Sequence, residues 1–391
     1  SNISYPSSGT WYGIFGGYLG DGGTSTGSQI YNNTVSNITT NSAQYAFYTS
    51  SLASPNQPVK IYGNTIQNLT SNGLTSSVMG YYAFASTTSP YYEFYNNKIA
   101  NLNSNGTTGK VYGIYALSAA NYRIHNNYIG DLTASGALTT TMPAPALIGV
   151  FLSSSSNVKL YNNTIYLNAT STGANFSTTG IYSTQSGVGV TEAKNNIIHN
   201  TSVATGAGLT IGVQLNSLTG TIYSPNSNNN NWYLGTVGTS NVTYYNGTLT
   251  GSTVANMTAI TGSDQSSIST APTYTSTLYT NPGYLHIDPS VPSQIESGGQ
   301  PLTNDFSVDF DNDIRATNVG YSGTGTSYDI GADEFSGSTP APSVSILSSV
   351  PTLINQCVAS SRAITANIST GVGTITSATL NYSFNGVGTI T

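Results

Sequence analysis

The phrase Ile30-Tyr-Asn-Asn-Thr-Val-Ser-Asn-Ile38 returns down the first half of the chain at a nearly fixed period, and no other feature restricts the fold as much. It recurs as Ile61-Tyr-Gly-Asn-Thr-Ile-Gln-Asn-Leu69, Phe94-Tyr-Asn-Asn-Lys-Ile-Ala-Asn-Leu102, Ile124-His-Asn-Asn-Tyr-Ile-Gly-Asp-Leu132, Leu160-Tyr-Asn-Asn-Thr-Ile165 and, more loosely, Ala193-Lys-Asn-Asn-Ile-Ile-His-Asn200. The second Asn of each pair is Asn33, Asn64, Asn97, Asn127, Asn163 and Asn196, at spacings of 31, 33, 30, 36 and 33 residues. A second phrase runs in step: Tyr12-Gly-Ile-Phe15, Tyr45-Ala-Phe-Tyr48, Tyr82-Ala-Phe-Ala85, Tyr112-Gly-Ile-Tyr115, Ile148-Gly-Val-Phe151, Thr179-Gly-Ile-Tyr182 and Ile211-Gly-Val-Gln214. Short strand-like phrases with no helical periodicity between them exclude the two-helix solenoids. Each period therefore reads as one coil of an all-β solenoid, six to seven coils over residues 1–225.

Alternation inside the phrase assigns the faces. Counting from the second Asn, position minus 3 (Ile30, Ile61, Phe94, Ile124, Leu160, Ala193), plus 2 (Val35, Ile66, Ile99, Ile129, Ile165, Ile198) and plus 5 (Ile38, Leu69, Leu102, Leu132) point inward. The Asn pair marks a sharp turn, because Asn best tolerates the left-handed conformation among residues with a side chain. Gly63 at the first place of one pair agrees. Coils stacked about 4.8 Å apart would let the second Asn side chains join as a hydrogen-bonded ladder.

Strand, Asn turn, strand and a longer arm form a pattern that resembles the right-handed parallel β-helix proteins of the pectate-lyase-like class. A decayed copy at Thr221-Ile-Tyr-Ser-Pro225, with Ser-Pro in place of the Asn pair, suggests that the ladder ends there. The succession Asn228 to Trp232, Tyr284-Leu-His-Ile-Asp288, Asp309-Phe-Asp-Asn-Asp-Ile-Arg315 and Asp329-Ile-Gly-Ala-Asp-Glu-Phe335 resembles the terminal part of β-helix modules in large bacterial surface proteins exported by type IX secretion. That resemblance implies terminal coils and a cap over 226–335, hiding the last hydrophobic coil. Residues 336–342 read as a linker, and 343–391, with alternating Ser343-Val-Ser-Ile346, Ala363-Ile-Thr-Ala-Asn-Ile368 and Ala378-Thr-Leu-Asn-Tyr-Ser-Phe384, resemble the start of an immunoglobulin-like β-sandwich. Both ends then read as cuts within a longer protein.

Composition narrows the function. Eight Lys plus Arg and a net charge of -6 cannot build a basic groove, so nucleic acid is not an expected partner. No run is apolar and long enough to span a bilayer. The single Cys357 supports neither a disulfide framework nor a Cys metal site, and the Asn-x-Ser/Thr triplets at Asn37, Asn68, Asn105 and Asn168 are expected by chance in so Asn- and Thr-rich a chain.

Two outward columns are candidates for function. Position minus 4 reads Gln29, Lys60, Glu93, Arg123, Lys159, Glu192, which reads better as charge pairing that sets register than as a catalytic cluster. Position minus 2 reads Tyr31, Tyr62, Tyr95, His125, Tyr161, Lys194; ordinary strand packing accounts for such a stripe, and carbohydrate binding is the functional alternative. Variable arms such as 133–146 are where a solenoid often carries its binding loops.

Asp309, Asp311 and Asp313 alternate as in a calcium loop, yet Ile314 and Gly320 stand where an EF-hand has Gly and Glu. A looser calcium site is the alternative to a polar turn with Arg315 paired to an acid such as Asp333. No other cofactor is implied. The acids of residues 1–225, Asp21, Glu93, Asp131 and Glu192, fall in different coils, unlike the paired carboxyls of a glycoside hydrolase or the calcium cluster of a polysaccharide lyase. The expectation is a non-catalytic extracellular or cell-surface module, a stalk or adhesin whose partners are a polysaccharide or cell-surface glycan, or other chains of a surface assembly or secretion apparatus. A lyase or hydrolase is the alternative.

Overall fold

In the computed structural model the repeat forms three β-sheets of eight, nine and six strands, built by parallel stacking of one strand per coil apart from the antiparallel edge strand Thr250–Gly251 of the nine-stranded sheet, giving a β-solenoid of about six turns. The structure describes residues 3–5, 9–17, 27–51, 59–85, 91–117, 120–135, 145–153, 157–185, 189–216 and 222–341, with short stretches at 343–346, 365–369, 377, 382–384 and 387–390. Asp21, Cys357, most of the 133–146 arm and most of the expected immunoglobulin-like segment lie outside the described residues. Within that segment, Ser343–Ile346 pairs antiparallel with Ala366–Ser369, and Tyr382–Phe384 with Val387–Ile390.

Register follows the sequence columns. Val35, Ile66, Ile99, Ile129, Ile165, Ile198 and Trp232 stand opposite one another in the eight-stranded sheet. Ile30, Ile61, Phe94, Ile124, Leu160 and Ala193 do so in the six-stranded sheet. Both columns and Ile38, Leu69, Leu102 and Leu132 line one continuous core, in which Ile30 is the partly exposed member. One phrase needs realignment: Tyr112 and Tyr115 pair with Met79 and Tyr82, so the third copy of the second phrase is Met79-Gly-Tyr-Tyr82 and not Tyr82-Ala-Phe-Ala85. Tyr81 then points into the core, where its hydroxyl meets Thr49 Oγ1 at 2.7 Å.

The first Asn of each pair adopts positive φ, from 49° at Asn162 to 56° at Asn195, with Gly63 at 64°. The second Asn forms the ladder. Asn33, Asn64, Asn97, Asn127, Asn163 and Asn196 each donate Nδ2 to the next Oδ1 at 2.9 to 3.1 Å. From Asn64 onward each Nδ2 also donates to a carbonyl one coil back, as Asn127 does to Phe94. Each amide therefore ties three coils.

The ladder runs past Pro225. Tyr223 bridges Thr191 and Asn228 bridges Lys194, so two extra residues fall between Tyr223 and Asn228, ahead of the true seventh copy at Asn229-Asn230. Asn196 donates to Asn230 Oδ1, and Asn230 donates to Asp264 Oδ1, both at 2.9 Å. Every rung sends a donor forward, so the last one needs an acceptor, and Asp264 supplies it. Its buried carboxylate also accepts from Trp232, Ser267 and Tyr223.

The stretch 226–335 departs from a simple cap. The helix Val254–Thr261, capped by Thr253 with Asn256 and ended by Gly262 in the left-handed region, packs Met257 into the solenoid core against the last strands of the nine-stranded sheet. Residues 274–335 instead run back along the outside of the eight-stranded sheet. They bury Ala100, Tyr128, Tyr284, Leu285 and Ala332 in one layer and Ile197, Ile287, Ile295, Ile330 and Phe335 in another. A Cβ on Gly130 would collide with Tyr284 Oη, so Gly allows the close approach.

Candidate functional site

The first Asn of each pair, whose side chain faces outward, becomes the docking line for this return segment. Asn229 donates to Gly298 O, Asn195 to Gln300 O, Asn162 to Asp329 O and Gly331 O, Asn126 to Val308 O, and Asn96 to Asp309 O and Phe310 O. The segment stops at Asn96. Beyond it, at Asn32 and Gly63, the same line is uncovered.

Beside that uncovered stretch stand the stripe residues. Tyr31, Tyr62, Tyr95 and His125 stack face to face, with ring centroids 4.9 to 5.0 Å apart and planes within 5°. Phe306 of the return segment closes the stack on His125 at 4.4 Å. Burial, then Arg123 and Arg315, lowers the His125 pKa well below the usual imidazole value. Tyr161 lies outside the stack, buried with Leu302 and Tyr328. Of the five aromatic residues of the stripe, Tyr31 is half exposed, Tyr62 and Tyr95 are partly exposed, and His125 and Tyr161 are covered.

A groove of about 570 Å³ opens where this stack meets the end of the return segment, lined by Asn32, Tyr62, Gly63, Tyr95, Phe310 and Asn312 among others. None of its lining residues is charged. Burial, then Tyr62 and Glu93, pushes the Tyr95 phenol up to about 12, so it stays a hydrogen-bond donor at neutral pH.

The charged column pairs along the axis. Glu93 takes Arg123 at 2.9 Å and Lys60 at 3.8 Å. Arg123 and Lys159, alike in charge on neighbouring coils, share Asp305 at 3.2 and 2.8 Å, and Glu192 pairs not with a neighbouring coil but with Lys194 two residues along its own strand, at 2.8 Å. Asp305 comes from the return segment and was not legible in the repeat.

The calcium-like triplet divides into three roles. Asp309 is buried; its Oδ1 accepts from the Asp311 and Asp313 amides and its Oδ2 from that of Glu334. Asp311 turns to His286, and Asp313 is exposed. Arg315, wholly buried, does not pair with the Asp333 carboxylate. Its guanidinium meets Glu334 Oε2 at 3.1 Å, donates to Asn126 Oδ1 at 2.9 Å, and lies over Tyr328 and Phe306.

Sequence reasoning missed a second aromatic surface. On the outer face of the nine-stranded sheet, Tyr12, Phe15, Tyr45, Tyr48, Tyr82 and Tyr115 form a continuous patch of stacked and edge-on rings. The signal was the first and fourth places of the second phrase. It also missed a second Asn ladder four residues along, where Asn101 donates to Asn68 and Asn68 to Asn37, all at positive φ.

These environments set a pH dependence. Burial raises Asp309 to about 7 and Asp333 to about 6. Burial pulls His286 down, but Asp311 and Asp333 outweigh it and raise the imidazole to about 9. A raised folded-state pKa adds stability below the unfolded value and loses it as pH climbs through the folded one. Buried His125 and His199, the latter lowered to about 4 by burial, act oppositely, but only below their unfolded pKa of 6.5. Between pH 6.5 and 9 the loss is therefore unopposed by these histidines, and Tm should fall by on the order of 3 °C in thermal melts at constant ionic strength. A flat or rising Tm over that window would contradict the assignment.

In comparisons with known proteins, no family model, curated protein or solved structure matches this chain.

Proposed function

We propose that this chain is a non-catalytic module of an extracellular or cell-surface protein, a stiff spacer or adhesin that binds a neutral polysaccharide in the groove beside Tyr62 and Tyr95. The observation that carries the reading is the lining itself: phenol edges, the amides of Asn32 and Asn312, and no charge. Because the stacked rings cover one another's faces, the groove offers hydroxyl and amide groups more than bare aromatic surface, which suits a hydroxyl-rich ligand without charge. The half-exposed Tyr31 at the head of the stack adds an aromatic surface. Stiffness follows from the ladder, since bending the stack would break amide bonds that each span three coils.

Support for a non-catalytic role comes from two of the solenoid-wall acids, Glu93 and Glu192, which are held in ion pairs with Arg123 and Lys194. Catalysis would need such groups free and convergent. The resemblance to right-handed, pectate-lyase-like β-helices and to type IX-exported surface proteins belongs to the same reading, as does a surface location.

Glycan-array screening followed by calorimetry with the whole chain tests it. Tyr62→Ala and Tyr95→Ala should each weaken binding at least about tenfold, the loss of roughly 1.4 kcal/mol, while Tyr48→Ala on the nine-stranded sheet leaves it unchanged. Absence of any glycan hit, unchanged binding in both groove variants, or release of unsaturated or hydrolysed products would each overturn the proposal.

A further inference from the structure

We propose that His286, Asp311 and Asp333 form a binding site for a divalent transition-metal ion, of which zinc is the representative, and that the ion cross-links three stretches of the return segment where it lies on the eight-stranded sheet. One ligand atom from each of the three lies within 4.8 Å of the other two. They come from separate stretches of the return segment: His286 from the turn after Tyr284, Asp311 from the turn organised by Asp309, and Asp333 from the segment that packs on Thr164 and Ile197.

Each ligand is already aimed. His286 Nδ1 lies 3.2 Å from Tyr284 O; with Nδ1 donating to that carbonyl, Nε2, hydrogen-bonded to Asp311 Oδ2 at 2.6 Å, is the nitrogen from which the metal would displace the proton. Asp333 Oδ2 accepts the Ile287 amide at 2.9 Å, which holds the buried carboxylate in place. Asp311 is exposed, giving an entry path and open coordination positions for water. Beneath them lies Tyr128, its ring 5.1 Å from that of His286. The Tyr128 hydroxyl is buried without a hydrogen-bond partner, an unusual state for a phenol in a folded core, and Asp333 and Asp311 are the strongest charges acting on it.

The donor set selects the metal. Calcium takes six to eight oxygen ligands, which one imidazole and two carboxylates do not supply, whereas imidazole with carboxylate suits zinc and its first-row neighbours. This differs from the calcium triplet suggested by Asp309, Asp311 and Asp313, because Asp309 is committed to backbone amides.

Chelator-treated chain of residues 1–391 titrated with zinc chloride by calorimetry tests the inference, with cobalt(II) as a spectroscopic substitute. One equivalent should bind, with Tm rising by about 2–4 °C in excess zinc and not in excess calcium. Asp311→Asn, at an exposed position, and His286→Gln should each weaken zinc binding at least about tenfold, while exposed Asp313→Asn leaves it unchanged. Circular dichroism of each variant checks folding. No uptake at micromolar zinc, uptake indifferent to Asp311→Asn and His286→Gln, or equal stabilisation by calcium would overturn it.

Discussion

Asn127→Ala should destabilise the solenoid by about 4 kcal/mol, since it removes several buried hydrogen bonds at once and each orphaned polar group costs about 1–3 kcal/mol. The Asn127 amide donates to Asn163 Oδ1, Phe94 O and His125 O, and its oxygen accepts both the backbone amide and Nδ2 of Asn97. Alanine leaves partners on three coils unpaired in a site closed to water. Asn127→Asp should be as damaging, because a carboxylate would face three acceptors where the ladder requires a donor. At the half-buried head of the ladder, Asn33→Ala should cost less, on the order of 1 kcal/mol, because water can reach the groups it leaves. Urea melts of the three variants measure the difference; an Asn127→Ala cost no larger than that of Asn33→Ala would remove the ladder from the account of stability.

Arg315→Met is expected to cost about 3–5 kcal/mol, the usual penalty for stranding one member of a buried ion pair. The guanidinium neutralises Glu334, donates to the Gly331 and Ala332 carbonyls, and reaches Asn126 on the solenoid corner. It is thus the charged rivet between the return segment and the coils. Around it the acids of Asp329-Ile-Gly-Ala-Asp-Glu-Phe335 accept backbone amides, Asp329 from Ser297 and Phe335, and Glu334 from Ala316 and Asp329. Lysine at 315 keeps the charge but not the fork, and should recover less than half of the loss. Adding Glu334→Gln to Arg315→Met should restore roughly 1–3 kcal/mol by removing the stranded charge. Limited proteolysis should cut first within 274–335; an Arg315→Met chain as resistant as the parent would show that the rivet carries little.

The solenoid was legible because its signal is local and repeated. The inward columns, the left-handed place at the first Asn and the amide ladder all follow from side chains meeting their own copies one coil away, so one phrase read six times predicts each contact. Reading failed where the phrase was interrupted. Ser224-Pro225 looked like a lost Asn pair because a two-residue insertion hid the copy at Asn229-Asn230, and a three-residue slip placed Tyr82 where Met79 belongs.

The return segment leaves no pattern in the sequence, because its contacts are distant in sequence and non-repeating. Nothing near Asp305 or Arg315 announces Lys159 or Asn126, more than a hundred residues earlier. A trace existed on the other partner: the outward places of the eight-stranded sheet change from Thr34, Ser36, Thr65 and Gln67 to Ala100, Tyr128, Tyr166 and Ile197, the coils that the segment covers. The stripe shows the same division. Sequence aligned Tyr31, Tyr62, Tyr95, His125 and Tyr161, but only the fold buried the last two and left a groove at the others.

What the amino-acid order determined by itself is the coil, its inward face and its amide corner, because each depends on a residue and its equivalents in adjacent coils. Which outer surface stays open, and where acids, imidazole and phenol gather, was decided by the tertiary structure alone. A chain segment that folds back on a repeat selects its contacts by shape and hydrogen bonding across long sequence separations, and no local pattern encodes that choice.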